Sequence, residues 1–332
     1  MSSRVRYGII GYGRFAERTI APAIQASQYG ELVAVQKRSL EAAKEKAREA
    51  GIPHAFSTPE DLVRSTDVDA VFIVSANSAH GPETIAAAEA GKHVLVEKPM
   101  SLTVAEGERM IDASRRNNVL LSVGHMVRLS PAVRRARELI ASGVYGPVTF
   151  ARAEFSYDGR LNHRPWLLDA NVAGGGPLFD IGVHCIDTLR FLLADEVSGV
   201  HAHLDPRPTA TRTESTANLA LRFSRGTLGS VYCSFNSSVR KRHLEIVCRE
   251  AVIIVPEFTA SNEKVSLRVV QGTGDEPSDV HVEEFEPTNL YTLEVDLFSQ
   301  SIMNKSPVLL SGENGLRDMQ VLESALAQEH EK

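Results

Sequence analysis

Gly8-Ile-Ile-Gly11-Tyr-Gly13-Arg-Phe-Ala16 is the stretch that decides the fold. It grows out of a short apolar run, Tyr7–Ile10, and opens a segment of helix length, Arg14–Gln28. Gly11 permits a tight turn. Gly13 has no Cβ, so a pyrophosphate can approach the backbone, and Ala16 lets the helix pack close to the strand. The helix N-terminus then offers N–H groups and a partial positive charge to the phosphates. Alone, a Gly-x-Gly-x-x-Ala pattern is weak. Placed between a strand and a helix, it reads as a dinucleotide site. The expected contacts are Gly11, Tyr12, Gly13, Arg14, Phe15 and Ala16.

Beyond this loop the same grammar repeats. Apolar runs at Leu32–Val35, Val71–Val74, His93–Val96 and Val119–Val123 lack polar alternation, as strands buried on both faces do. Helix-length segments separate them: Leu40–Ala50, Pro59–Arg64, Pro82–Ala90 and Val104–Asn117. Thr58 precedes Pro59, and Thr103-Val-Ala-Glu106 is a capping box. Pro82 suits a first turn, where its missing N–H is no loss. Repeated β-α-β-α predicts a doubly wound parallel sheet, an N-terminal Rossmann domain over residues 1–124.

After Gly124 the grammar changes. A helix, Ala132–Ser142, and a strand, Val148–Tyr157, lead into a polar, glycine-rich loop, Asp158–Pro177, then a helix, Leu178–Leu193. From Gly199 strands dominate: Ala217–Phe223, Thr227–Phe235, Leu244–Cys248, Ala251–Val255, Val265–Val270 and Val280–Phe285. Several alternate apolar and polar residues, which suits an open, mostly antiparallel sheet. Gln271–Ser278 reads as a mobile loop. Two helices, Leu290–Met303 and Leu316–Gln328, close the chain. The second domain, 125–332, is therefore expected to be α/β, to bind substrate and to mediate oligomerisation, with the last helices packing back on the first domain.

The composition excludes other classes. At 332 residues the chain suits about two domains. Hydrophobic and charged fractions of 43% and 23% are those of a globular protein and exclude a disordered or fibrous chain. A net charge of −6 argues against nucleic acid as partner. No apolar run reaches membrane-helix length, and no signal peptide is evident. The three cysteines, Cys185, Cys233 and Cys248, form no Cys-x-x-Cys pair, which points to a reduced, cytoplasmic setting.

The end of the second strand bears on the cofactor. NAD enzymes place an acid about 20 residues past the glycines to hold the ribose. Here the chain reads Val35-Gln36-Lys37-Arg38-Ser39, with no acid. Lys37 and Arg38 suit a 2′-phosphate and Ser39 can donate to it, so NADP(H) is preferred and NAD(H) stays open. The alternative leaves Lys37 as a solvated charge and Arg38 stacked on the adenine.

Three further motifs, Ser75-Ala-Asn77-Ser-Ala-His80, Glu97-Lys98-Pro99 and Gly174-Gly-Gly-Pro-Leu-Phe-Asp180-Ile-Gly-Val-His184, follow in order. With the glycine loop they resemble the glucose–fructose oxidoreductase, inositol dehydrogenase and rhizopine-catabolism (Gfo/Idh/MocA) family over nearly the whole chain. The resemblance implies nicotinamide-dependent oxidation or reduction of sugars, cyclitols and related hydroxy compounds. It implies Lys98, Asp180 and His184 as the catalytic residues, a cis Lys98–Pro99 bond, and Ser75, Asn77, His80, Glu97 and Lys98 on the cofactor. It also implies a homodimer or homotetramer through the C-terminal sheet.

The residue types fit that chemistry. A carbinol needs a base for its proton and a cation for the developing alkoxide. Lys98 ends a parallel strand, where open α/β sheets bind ligands. Asp180 and His184, four apart, share a helix face, and histidine titrates near neutrality. Asp187 extends that face as a network or packing residue. For a polyhydroxylated small-molecule substrate, Arg128, Tyr157, Arg164, Trp166 and Asp180 are the candidates, the lone tryptophan offering a stacking face. Two other readings stay open. One is a nonenzymatic NAD(P)-binding regulator. The other is a metalloenzyme built on His201-Ala-His203-Leu-Asp205, which lacks a further ligand of matched spacing, so no metal is expected. A hydrolase is disfavoured because no Gly-x-Ser-x-Gly elbow occurs.

Overall fold

The computed structural model describes residues 4–273 and 276–330. The chain divides into two compact units. One runs to His125 and takes in Tyr291–Met319; the other comprises Met126–Leu290 and the chain from Gln320.

The first unit is built on six parallel strands: β1 Val5–Ile10, β2 Gly30–Gln36, β3 His54–Phe56, β4 Ala70–Ile73, β5 His93–Val96 and β6 Leu121–Val123. Their order is β3-β2-β1-β4-β5-β6, the reversal at β1 being that of a Rossmann fold. Five helices connect them: α1 Ala21–Ala26, α2 Leu40–Ala50, α3 Pro59–Arg64, α4 Asn77–Glu89 and α5 Val104–Arg116. A π turn, Ala16–Ile20, precedes α1, with Pro22 at the front of that helix. Proline carries no N–H and crowds the carbonyl four residues back, a known cause of such irregularity.

The start signals at Thr58 and Thr103 act as read, and Ser39, read only as a cofactor contact, adds a third cap. Ser39, Thr58 and Thr103 each accept the backbone N–H of the third residue on, which caps α2, α3 and α5. One expectation fails. The helix placed at Pro82–Ala90 begins five residues earlier, at Asn77, and Pro82 lies inside it. His80, buried in its first turn, meets the carbonyls of Ser75 and Pro99 and anchors the early start.

In the second unit, α6 Pro131–Ser142 leads to β7 Val148–Asp158, then α7 Ala170–Ala173 and α8 Val183–Leu193. A π turn, Leu178–Gly182, runs directly into α8. Seven strands follow: β8 Val197–Asp205, β9 Thr216–Phe223, β10 Leu228–Ser234, β11 Asn236–Cys248, β12 Val252–Pro256, β13 Val265–Thr273 and β14 Glu276–Phe285. The eight strands order as β14-β13-β12-β11-β7-β10-β9-β8. All neighbours are antiparallel except β10 and β7. The expected loop at Gln271–Ser278 is instead a hairpin: β13 and β14 stay paired as far as Thr273 and Glu276. Gly274 and Asp275 lie outside the described residues. β11 starts eight residues before the expected Leu244. Of its polar first half, Asn236, Lys241 and Arg242 pair with Asp158, Ser156 and Phe155 of β7, and the residues between Asn236 and Lys241 do not.

Two more helices end the chain, α9 Leu290–Asn304 and α10 Gly312–His330. Val295 and Phe298 of α9 enter the first unit's core beside Tyr7, Ile9 and Phe72, and the Tyr7 hydroxyl meets Ser299 Oγ at 2.8 Å. Among the described residues, no helix is long and apolar enough to cross a membrane. The three cysteines are buried and free.

Candidate active site

The glycine loop sits between β1 and the first helix, and the second strand holds it from below. Gln36, at the end of β2, accepts the Gly11 N–H on Oε1 at 3.1 Å and donates through Nε2 to Ser57 O. The Tyr12 N–H reaches Gln36 O at 2.9 Å. Gly11 has φ +83°, and a Cβ there would lie 2.7 Å from the Ser75 backbone. Glycine is therefore required twice over, by conformation and by the approach of the loop after β4. At Gly13 the nearest atom to an added Cβ is Gly11 O at 3.8 Å, so the space is open. Tyr12 and Ala16 are buried and Arg14 is exposed. Phe15 is partly exposed and meets Tyr291 edge-on at 5.8 Å.

At the β2 end, Lys37 Nζ donates to Tyr12 O at 2.7 Å, which ties the ammonium to the phosphate loop. Arg38 is exposed, and Ser39 caps α2. After β4, Ser75 is gripped from two sides. Its hydroxyl donates to Glu83 at 2.5 Å, and its carbonyl faces His80 Nε2 at 3.2 Å. His80 Nδ1 lies 2.8 Å from Pro99 O. Burial lowers the His80 pKa to about 4, so the ring is neutral and donates to only one carbonyl. Burial raises Glu83 to about 7. Asn77 is buried at the start of α4. Glu97 accepts the Lys98 N–H at 3.2 Å, Lys98 is half-buried at the end of β5, and the Lys98–Pro99 bond is cis.

In the second unit, three substrate candidates named separately from the sequence come together. Asp180, 4% exposed, accepts from Tyr157 Oη at 3.1 Å and from Arg164 Nη2 at 2.8 Å on the same oxygen. Asn162 ties the pair, donating to Tyr157 Oη at 2.8 Å and accepting from Arg164 Nε at 3.2 Å. Burial, with the Asp180 charge, pushes the Tyr157 phenol well above its ordinary value, so it stays a neutral donor. Arg164 also lies over the half-buried Trp166 ring at 5.7 Å.

Asp180 and His184 do not occupy one regular helix. Asp180 lies in the π turn and His184 in the first turn of α8. π turns occur frequently at functional sites. His184 is buried, its ring centroid 6.4 Å from that of Phe155.

Arg128 takes a different place. It is buried, its Nε meets both Asp187 oxygens at 2.8 and 3.0 Å, and its guanidinium lies over Phe191. Asp187, one turn beyond His184, thus accepts a bidentate pair that holds α8. His201 and His203 are exposed on β8 with rings 5.2 Å apart.

Sequence reasoning missed Gln36, Glu83 and Glu214. Glu214 is buried and accepts the Leu178 N–H at 2.9 Å, fixing the turn that carries Asp180. Its carbonyl would lie 2.0 Å from a Cβ at Gly176, which explains the last of the three glycines. Gln36 alone had a signal: it fills the strand end where an acid was sought.

Comparison with known proteins gives the same picture. Residues 5–125 match a profile described as an oxidoreductase family, NAD-binding Rossmann fold, and residues 133–254 match a GFO/IDH/MocA C-terminal domain. The 1,5-anhydro-D-fructose reductase of Ensifer adhaerens is 31% identical, covering 94% of this chain and 92% of that protein. The D-xylose 1-dehydrogenase [NADP(+)] of Haloarcula marismortui is 28% identical over 96% and 89%. The structure of levoglucosan dehydrogenase with NADH and levoglucosan superposes with a TM-score of 0.85 at 25% identity, over 98% of each chain. The chain is an enzyme of the Gfo/Idh/MocA oxidoreductase family.

Proposed function

We propose that this enzyme transfers a hydride between a nicotinamide dinucleotide and a CH–OH or C=O carbon of a sugar, ketosugar or cyclitol. The observation that carries the substrate side is the buried Asp180 carboxylate held by Tyr157 and Arg164. Such a cluster offers fixed donors and an acceptor to a ligand rich in hydroxyls. The names of the relatives, a reductase and two dehydrogenases of sugars and anhydrosugars, support the same reading.

The open space at Gly13 fits a pyrophosphate, which Gly11 to Ala16 would hold. Lys37, Arg38 and Ser39 would take the 2′-phosphate of NADP(H), the cofactor we favour over NAD(H). Ser75, Asn77, His80 and Glu97 would lie on the nicotinamide side. When bound, the nicotinamide accepts or supplies the hydride. Lys98 polarises the substrate oxygen. His184 takes the hydroxyl proton in oxidation and returns it in reduction. Asp180, with Tyr157, Arg164 and Trp166, orients the substrate. Arg128 acts by holding Asp187 and, with it, α8.

The exposed Leu228 and Tyr232, with Phe150 cross-strand from Leu228, make the open sheet face the proposed contact between copies of the chain.

The test is a panel of polyols and ketosugars followed by nicotinamide absorbance, with NADPH and NADH in parallel. Turnover of a polyhydroxylated compound is expected, with NADPH bound at least about ten-fold more tightly. A clear preference for NADH overturns the assignment of Lys37 and Arg38. Absence of turnover across the panel, with cofactor bound, overturns the enzymatic proposal in favour of a regulator.

A further inference from the structure

β11 and β7 lose register where they approach the Asp180 cluster. Asn236 pairs with Asp158 and Lys241 with Ser156, so β11 spends five steps where β7 spends two. The extra residues leave the ladder as a wide bulge, Ser237 to Arg240. Bulges of this kind bend a strand and re-aim side chains next to active sites. Here the result is specific. Val239 is 71% exposed at the crest, and the Arg240 guanidinium lies over the Tyr157 ring, 5.7 Å from its centroid. Phe235, 5.1 Å from Tyr157, backs the same ring.

Arg164 is paired with Asp180, Arg160 with Asp158 and Lys241 with Glu154. Arg240 makes no ion pair among the described residues. It is exposed and sits on a ring whose hydroxyl is bonded to Asp180. Arg240 therefore places one positive charge without an ion-pair partner among the described residues at the solvent edge of the Tyr157 ring.

We infer that Arg240 is a specificity-determining residue that receives a carboxylate of the substrate, so that the enzyme acts on a sugar acid in preference to a neutral sugar. This rests on the reading of the Asp180 cluster as the substrate site. A planar guanidinium binds a carboxylate bidentately, and its position on an aromatic face pre-orients the fork. A single excess charge matches a carboxylate. A phosphate monoester, with a charge of about −1.5 to −2, leaves a surplus facing the buried Asp180.

The test measures binding and turnover of D-glucuronate, D-glucose and D-glucose 6-phosphate with the enzyme saturated with NADP+ or NAD+, whichever it binds. Glucuronate is expected to bind at least about ten-fold more tightly than glucose, the scale of one charge-assisted contact. In Arg240→Gln that ratio falls to near unity through the KM of the uronate, while cofactor affinity and the thermal midpoint stay unchanged. Arg240→Lys restores part of it. Equal binding of glucuronate and glucose, binding of neither, tightest binding of the phosphate, or a variant that weakens both sugars alike each overturns the proposal. Uronate binding through Arg240 without turnover upholds it and removes the hydride-transfer reading instead.

Discussion

Arg164 Nη2 lies 2.8 Å from Asp180 Oδ2, joining a side chain 41% exposed to one 4% exposed. The pair links a polar loop to the π turn ahead of α8 and fixes a carboxylate that the helix alone would leave free to rotate. Replacing Asp180 by Asn keeps the size but removes the charge that both Tyr157 and Arg164 serve. Hydrogen bonds to a charged group contribute about 1.5–3 kcal/mol, so kcat/KM is expected to fall about 10- to 10²-fold. Cofactor affinity, followed by fluorescence titration, stays level. An unchanged kcat/KM removes the cluster from the substrate site.

His184→Ala removes the proposed proton shuttle. Turnover is expected to drop by a factor of about 10² or more, with cofactor binding retained. Steady-state rates compared with cofactor titration decide it, because a packing defect alone moves the thermal midpoint and spares the rate per folded enzyme.

Arg128 and Asp187 are both buried, and removal of either charge unbalances the other, with buried Arg190 3.9 Å from Asp187 as a further member of the group. Asp187→Asn is expected to cost about 3–5 kcal/mol of stability, measured by urea unfolding. The double variant Arg128→Met, Asp187→Leu should recover part of that loss, since an apolar pair needs no compensation and Arg190 keeps Glu196 as its partner. Equal losses in single and double variants contradict a buried pair whose cost is desolvation.

Ser75 is held by two groups whose pKa values move in opposite directions. The folded state lowers His80 from 6.5 to about 4, so below pH 6.5 the unfolded chain binds the extra proton and acid destabilises. It raises Glu83 from 4.5 to about 7, so between those values the folded chain binds the extra proton and acid stabilises. Each is worth up to about 3 kcal/mol, and they largely cancel between pH 4.5 and 6.5. Glu83→Gln should therefore unmask a loss of stability on acidification from pH 6.5. His80→Gln should show a gain. Parallel pH–stability curves for the wild type and both variants refute the opposition.

Legibility differed by element. The glycine loop, the caps at Thr58 and Thr103, and the alternating β strands could be read directly, because each depends on neighbours within a few residues. Helix α4 could not. Its start depends on His80 reaching Pro99, which lies 19 residues away. The hairpin at Thr273 and Glu276 was missed because polar, glycine-containing sequence resembles a loop until a partner strand completes its hydrogen bonds.

The sequence by itself determined the dinucleotide fold and which residue types are available for hydride chemistry. These follow from local periodicity, turn stereochemistry and the motif order. Only the tertiary structure decided what each polar residue does. It drew Tyr157 and Arg164 onto Asp180 with Asn162 tying the two together, tied Arg128 to Asp187, and set Arg240 on Tyr157 through a bulge. The reason is electrostatic. A buried charge must find a partner when water is withdrawn, and which partner it finds depends on the register of strands far apart in the chain.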